Sequence, residues 1–342
     1  DPEDGSPAMG PPIVVGTSLT LDCCSRFARN GREFYRGYQM FVDWTNMVRG
    51  GVSVQGEMRS IQLTLIDDHS SVDLVREITE HLVENGTEIF LAPFSSTLTE
   101  PAADVVNSSG GVMLAGGSSY AHVYEDRPYI FSTHRPAHLW FAGTFIAWRE
   151  LGVKSVVAIQ EEPSFTRAVC SGLAGLAQKY DMSLVSVLTI PSGANISGFV
   201  SSHLGSLQEL PDVLVGCTYE DACKDVLRGL QFHNINFRAL AFTTCVTSSD
   251  FLSELGDIGR FVIGLTPWMS SFPMTSDITG WRSSDFETIY KERYKVEPPY
   301  QAVMAFIAGI SLVASIEAAN STEPAEIAAA LQAMKRQSLI GD

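Results

Sequence analysis

From Ile13 onward the chain alternates short β-branched runs with amphipathic stretches of helical length, and no other feature narrows the fold as much. IVVGTSL (Ile13 to Leu19) reads as a strand, and REFYRGYQMFVDWTNMV (Arg32 to Val48) carries its apolar residues at helical spacing. IQLTLIDD (Ile61 to Asp68) is a second strand, followed by a helix over Ser71 to Glu84. EIFLAP (Glu88 to Pro93) precedes a helix over Leu98 to Val106, and GVMLAG (Gly111 to Gly116) is a fourth strand. Strand–helix–strand units without hairpin signals predict a parallel sheet with helices on both faces.

The pattern then restarts. YIFST (Tyr129 to Thr133) leads to a helix over Ala137 to Leu151, then to SVVAIQ (Ser155 to Gln160) and a helix from Phe165 to Tyr180. LVSVLTI (Leu184 to Ile190), DVLVGCT (Asp212 to Thr218), a helix over Glu220 to Phe232, RALAFTT (Arg238 to Thr244) and FVIGLTP (Phe261 to Pro267) follow. Helices are then expected over Trp281 to Arg293, Ala302 to Ala319 and Pro324 to Met334, and such a strandless run has to pack on a lobe already built. With 342 residues, two α/β lobes of similar size fit the length.

Acidic residues number 39 against 23 Lys and Arg, a net charge of −16, which argues against nucleic acid or an anionic membrane surface as partner. The most apolar run, Ala302 to Ile316, is shorter than the roughly 20 residues a bilayer span needs, so it reads as a buried helix. Any membrane attachment is expected through segments outside this chain. The opening DPEDGSPAMGPP is Pro-, Gly- and acid-rich, and residues 1–11 read as a flexible lead-in. Either a leader has been removed before Asp1 or the chain is cut from something longer.

Six cysteines (Cys23, Cys24, Cys170, Cys217, Cys223, Cys245) show no CxxC and no metal-type spacing with His, so neither a zinc site nor another metal is expected. They allow 15 disulfide pairings, and buried free thiols remain open beside them. Four of eight asparagines begin an N-x-[ST] sequon: Asn85, Asn107, Asn195 and Asn320. Each falls near a predicted helix end or in a loop, where a glycan is tolerated, and this points to an extracellular glycoprotein.

Dinucleotide, phosphate-loop, zinc-protease and nucleophile-elbow motifs are all missing. Asp67-Asp68-His69 is the one His beside carboxylates, and acids bonding backbone amides at a helix start are its commoner use. No enzyme is expected and no cofactor. Small hydroxyl residues do collect where parallel strands end, the ligand face of an open α/β sheet: Phe94 to Thr99 after EIFLAP, and Gly117 to Tyr120 after GVMLAG. Amides and hydroxyls at helix starts suit a carboxylate. In the second half, Glu161 and Phe165, Tyr219, and Thr243 to Cys245 fall at strand ends, where an aromatic ring can cover the apolar part of a small ligand.

Order and loop texture together resemble the type I periplasmic-binding-protein family, the branched-chain amino-acid-binding type, and its Venus-flytrap counterparts in receptor ectodomains. The resemblance is carried by Gly37-Tyr38-Gln39-Met40, LTLIDD (63–68), FLAPFSSTLTEPAADV (90–105), GVMLAGGSS (111–119), YIFSTHRP (129–136) and YQAVMAFIAGISLVASIEAA (300–319). It implies two Rossmann-like lobes with parallel sheets joined by a three-strand hinge. Lobe 1 is 12–134 plus 268–336 and lobe 2 is 135–267, with the closing strands falling beyond residue 342. It further implies that Ser96 holds the ligand's carboxylate, aided by Thr97 and by the Gly117-Ser118-Ser119 loop. Phe165 and Tyr219 are the corresponding second-lobe aromatics, and Asn30 is the first-loop residue reaching over the cleft. Cys245 stands where amino-acid binders of the family place an acid for the ligand's ammonium group. These readings lead to an expected receptor ectodomain at the cell surface that closes on an amino acid, amide or small carboxylate. The alternative is a periplasmic solute-binding protein of an amino-acid or amide transporter. A homodimer through lobe 1 is a further expectation, and a ligand-free dimerisation module is a rival to both.

Overall fold

The computed structural model describes residues 8–248 and 250–341. Two compact units are present, one running to His134 and resuming at Trp268, the other spanning Arg135–Pro267.

The first unit opens with β1 (Ala8–Met9), β2 (Ile13–Leu19) and α1 (Ala28–Asp43), which continues as a π turn over Trp44–Val48. Next come β3 (Val52–Val54), β4 (Glu57–Arg59), β5 (Ile61–Asp67), α2 (Val72–Glu84), β6 (Ile89–Leu91), α3 (Ser96–Ser109), β7 (Val112–Ala115) and β8 (Ile130–Ser132). The main sheet has the order β5-β2-β6-β7-β8, and every pair in it is parallel. A small sheet of order β1-β4-β3 stands beside it, and its β3–β4 pair is antiparallel. The expectation of no hairpin is therefore corrected. Gln55 and Gly56 both take positive φ, 52° and 83°, as a two-residue hairpin turn requires. Gln-Gly is a weak turn signal and three-residue strands are too short to show alternation. Within the lead-in, Ala8–Met9 pairs in parallel with β4, while residues 1–7 lie outside the described residues.

α1 begins four residues ahead of its expected start. Gly31 makes this possible, because a Cβ there would lie 2.1 Å from the Thr20 carbonyl oxygen. The first helical turn, with Asn30 on it, is thereby pressed onto the end of β2.

The second unit contains α4 (Ala142–Glu150), β9 (Ser155–Glu161), α5 (Ser164–Ser171), α6 (Leu173–Lys179), β10 (Ser183–Ile190) and α7 (Ile196–His203). It continues through β11 (Val213–Cys217), α8 (Glu220–Phe232), β12 (Ala239–Phe242), α9 (Phe251–Leu255) and β13 (Val262–Gly264). Its sheet is again wholly parallel, of order β10-β9-β11-β12-β13. Val157, Ile159, Leu214, Leu227 and Phe242 belong to its buried core. The single helix expected from Phe165 to Tyr180 is two helices broken at Gly172. Any side chain at that position would run into the His138 carbonyl, so the chain steps aside there.

α10 (Ser283–Tyr294), α11 (Tyr300–Ala319) and α12 (Pro324–Ala333) belong to the first unit. α11 is the one described helix long and apolar enough to cross a membrane, and most of it is buried against α1 and α12. Helical periodicity is absent from a helix covered on all sides, which is why its sequence reads as a continuous apolar run.

His134 ends the first stretch of this unit. Burial pushes its imidazole down to about 4, against the opposing effect of a hydrogen bond with the Gly116 backbone. The folded state therefore disfavours the protonated ring, and its contribution to stability is present above the ordinary value of 6.5. Stability should fall as pH drops from about 6.5 to about 4. In urea titrations across that range, His134→Gln should flatten the decline.

Candidate functional site

Both sheets share one topology. In each, the first strand is flanked by the next strand on one side and the third on the other, so loops leave in opposite directions at β2/β6 and at β9/β11. Such switch points, at the carboxyl ends of parallel strands, are where open α/β sheets take ligands.

At the first unit's switch point, the loop after β2 leads to Asn30 on α1, and the loop after β6 leads to Ser96 at the start of α3. Tyr38 on α1 donates to the Ala92 carbonyl at 2.8 Å, fixing the end of β6. The Ser96 Oγ accepts from Ser118 Oγ at 3.2 Å and from the Ser119 and Tyr120 amides at 3.3 Å each. Those bonds join the β6 and β7 loops and leave the Ser96 hydroxyl proton available as a donor. The β7 loop is anchored in turn by Ser132 and Tyr124, which donate to the Ser118 carbonyl at 2.7 and 2.8 Å. Gly117 is required here because a Cβ would meet Phe34 at 2.8 Å and Phe94 at 3.0 Å. Asn30, Ser96, Ser118 and Ser119 are buried, while Thr97 and Gly117 are half-buried.

Ser95, also buried, has no hydrogen-bond partner for its Oγ, although its carbonyl accepts from the Thr99 amide and hydroxyl at 2.8 Å each. A buried, unmatched hydroxyl at the start of a 14-residue helix joins the helix dipole in favouring an anion.

In the second unit the aromatic residues come together. Phe165 and Tyr219 are buried, with ring centroids 5.5 Å apart, and Trp140 meets Phe165 edge-on at 5.0 Å. A disulfide between Cys170 and Cys217 ties α5 to the end of β11, and this holds Phe165 against Tyr219. Beside them Thr218 is fully buried, with its Oγ1 lacking a hydrogen-bond partner. Trp140 and Thr218 escaped sequence reasoning. Trp140 lies within the helix expected over Ala137 to Leu151 and Thr218 ends the strand expected over Asp212 to Thr218, and nothing local in the sequence marks either.

The remaining cysteines also pair, Cys23 with Cys24 and Cys223 with Cys245, so the open choice between disulfides and free thiols resolves as three disulfides. Cys245 is thereby corrected as a ligand-binding side chain. It is fully buried and its sulfur is committed to Cys223. The two acids that could stand in for it are engaged as well. Glu161 Oε2 accepts the Tyr219 amide at 2.5 Å, and Asp250 Oδ1 is 3.1 Å from the buried Lys224 ammonium.

The Asp67-Asp68-His69 stretch bonds backbone amides, but the capping of α2 falls to Ser71, whose side chain accepts the Leu74 amide. Asp67 accepts the Leu21 and His69 amides at 3.0 Å each. Asp68 is buried and accepts from Thr20, Ser18 and the Ser70 amide; burial nonetheless raises its carboxyl above the usual range.

Residues 12–342 match the profile of a family described as periplasmic binding protein. Among solved structures, a leucine-binding protein LivK from Thermotoga maritima is similar at 16% identity and a TM-score of 0.81, covering 96% of this chain and 90% of that one. A solute-binding protein of an ABC transporter from R. palustris, in complex with benzoate, is similar at 18% identity and a TM-score of 0.80, covering 96% and 88%. LivJ from Streptococcus pneumoniae, in complex with isoleucine, gives 15% identity and a TM-score of 0.79 over 97% and 91%. With the profile spanning nearly the whole length and the doubly wound parallel sheets described above, this chain belongs to the periplasmic binding protein family.

Proposed function

We propose that this protein is a non-enzymatic binding protein for a small carboxylate-bearing solute, acting in the periplasm as the solute-binding component of an ABC-type transporter. The observation that carries the reading is the start of α3. Ser96 keeps a donor proton there while its oxygen is saturated by the β7 loop, and the Ser95 hydroxyl is buried without a partner. Ser96, Thr97 and Ser119 hold the carboxylate, with Asn30 beside them. The expected receptor ectodomain gives way to this reading because two of the similar proteins named above are transporter solute- or substrate-binding proteins.

The cysteine pairing narrows the ligand. Position 245 offers no acid and its sulfur is committed to Cys223, so this position supplies no counter-charge for a ligand ammonium group. An aromatic or branched aliphatic carboxylate suits the site better than an α-amino acid. Thermal unfolding against benzoate, 3,4-dihydroxybenzoate, leucine and isoleucine tests this. A ligand at 100 times its dissociation constant adds about 2.7 kcal/mol of stability. The aromatic acids should raise the midpoint and the amino acids should not; a shift with leucine alone would reverse the assignment.

One observation favours a second reading, the receptor ectodomain. Asn85, Asn195 and Asn320 are exposed and Asn107 is half-buried. Asn195 accepts the Gly198 amide and Asn320 the Gln55 amide, both through Oδ1, so a glycan on either Nδ2 would leave these bonds intact. A mass loss on enzymatic deglycosylation of protein from its native source would favour that reading.

A further inference from the structure

The loop after β2 and the loop after β5 bring together groups that the ligand-binding reading does not use. Asp22, Asp67 and His69 place one ligand atom each within 4.8 Å of one another. His69 Nδ1 lies 3.0 Å from Asp22 Oδ2 and 3.7 Å from Asp67 Oδ2. Asp22 Oδ1 accepts the Cys24 amide at 2.7 Å, so its carboxylate lies against the backbone of the Cys23–Cys24 pair. Arg32 donates to the Asp22 carbonyl at 2.6 Å, and the Asp22 carboxylate also accepts from the Ser25 amide at 2.7 Å and from the Ser25 hydroxyl.

The cysteines differ sharply in access. Cys23 and Cys24 are both exposed, whereas Cys170, Cys217, Cys223 and Cys245 are buried. A reductant acting on the folded protein reaches the vicinal disulfide first. Two thiols are then added to a carboxylate and an imidazole on the same two loops. Two sulfurs, one nitrogen and one oxygen form a donor set that suits tetrahedral zinc.

We propose that Cys23 and Cys24, once reduced, form with His69 and Asp22 a binding site for a thiophilic divalent cation, and that the Cys23–Cys24 disulfide is the closed form of that site. Opening it breaks one S–S bond. A dithiol reductant supplies two electrons and two protons and leaves as its own cyclic disulfide. Zinc then displaces those two protons as the thiols become thiolates, and the proton shared between His69 and Asp22 gives way to the metal. This inference is independent of the carboxylate site.

The test uses the full chain, reduced under native conditions with a dithiol and freed of it anaerobically. Alkylation and peptide mapping should place two new thiols at Cys23 and Cys24. The reduced protein should take up one Zn²⁺ per chain and show a thiolate-to-metal charge-transfer band with Cd²⁺, and the untreated protein should show neither. His69→Ala should weaken Zn²⁺ binding at least tenfold, and Cys23→Ser with Cys24→Ser should abolish the Cd²⁺ band. Labelled thiols without stoichiometric metal, equal affinity in His69→Ala, or prior reduction of the buried pairs would each overturn the proposal.

Discussion

Replacing Ser96 with alanine should weaken carboxylate binding by about ten- to a hundredfold, since a hydrogen bond to a charged group contributes about 1.5–3 kcal/mol. Its hydroxyl oxygen is already saturated by Ser118, Ser119 and Tyr120, and only its proton remains to be given to a ligand. Ser96→Asp should go further and remove binding altogether. An acid at the start of α3 is tolerated by the helix dipole, so the fold should survive, but it would occupy the anion position itself. Titration calorimetry of both variants reads the effect directly. Unchanged affinity in Ser96→Asp would move the site elsewhere.

The largest stability effect is expected from the Cys170–Cys217 disulfide. It closes a loop of sequence separation 47, which corresponds to about 4 kcal/mol of chain entropy in the unfolded state. Cys223–Cys245, with separation 22, corresponds to about 3 kcal/mol by the same relation. The vicinal pair joins neighbours and constrains no loop at all. Urea unfolding of the three paired Cys→Ala variants should rank them in that order, with the Cys23–Cys24 variant close to the parent. Equal losses for all three would show that loop closure does not govern their contribution.

Strand and helix order was legible because the long strands carry β-branched residues and several surface helices, α1 and α2 among them, an apolar stripe. The parallel sheets follow from that order. What escaped reading lacks a local signal. The β3–β4 hairpin has strands of three residues, and the break at Gly172 depends on the His138 carbonyl, 34 residues away in sequence. The site divides in the same way. Ser96 and the Gly117–Ser119 loop stand out as hydroxyl-rich strand ends, and the hydrogen bonds among them join the two loops. Cys245 could not be judged from its position, since its role depends on Cys223 in α8. Similarly, Asp22 and His69 are 47 residues apart and meet only because β2 and β5 pair in register from Ile13 with Ile61 to Leu19 with Asp67.

The claim at the centre of this account is that the α3 N-terminus recognises a carboxylate and not merely a ring or an alkyl group. Titration with benzoate and with benzamide, its neutral counterpart of nearly the same shape, separates the two most directly. The account predicts one benzoate per chain, with benzamide at least tenfold weaker, and no benzoate binding in Ser96→Asp. Equal affinity for benzoate and benzamide in the parent protein would contradict it.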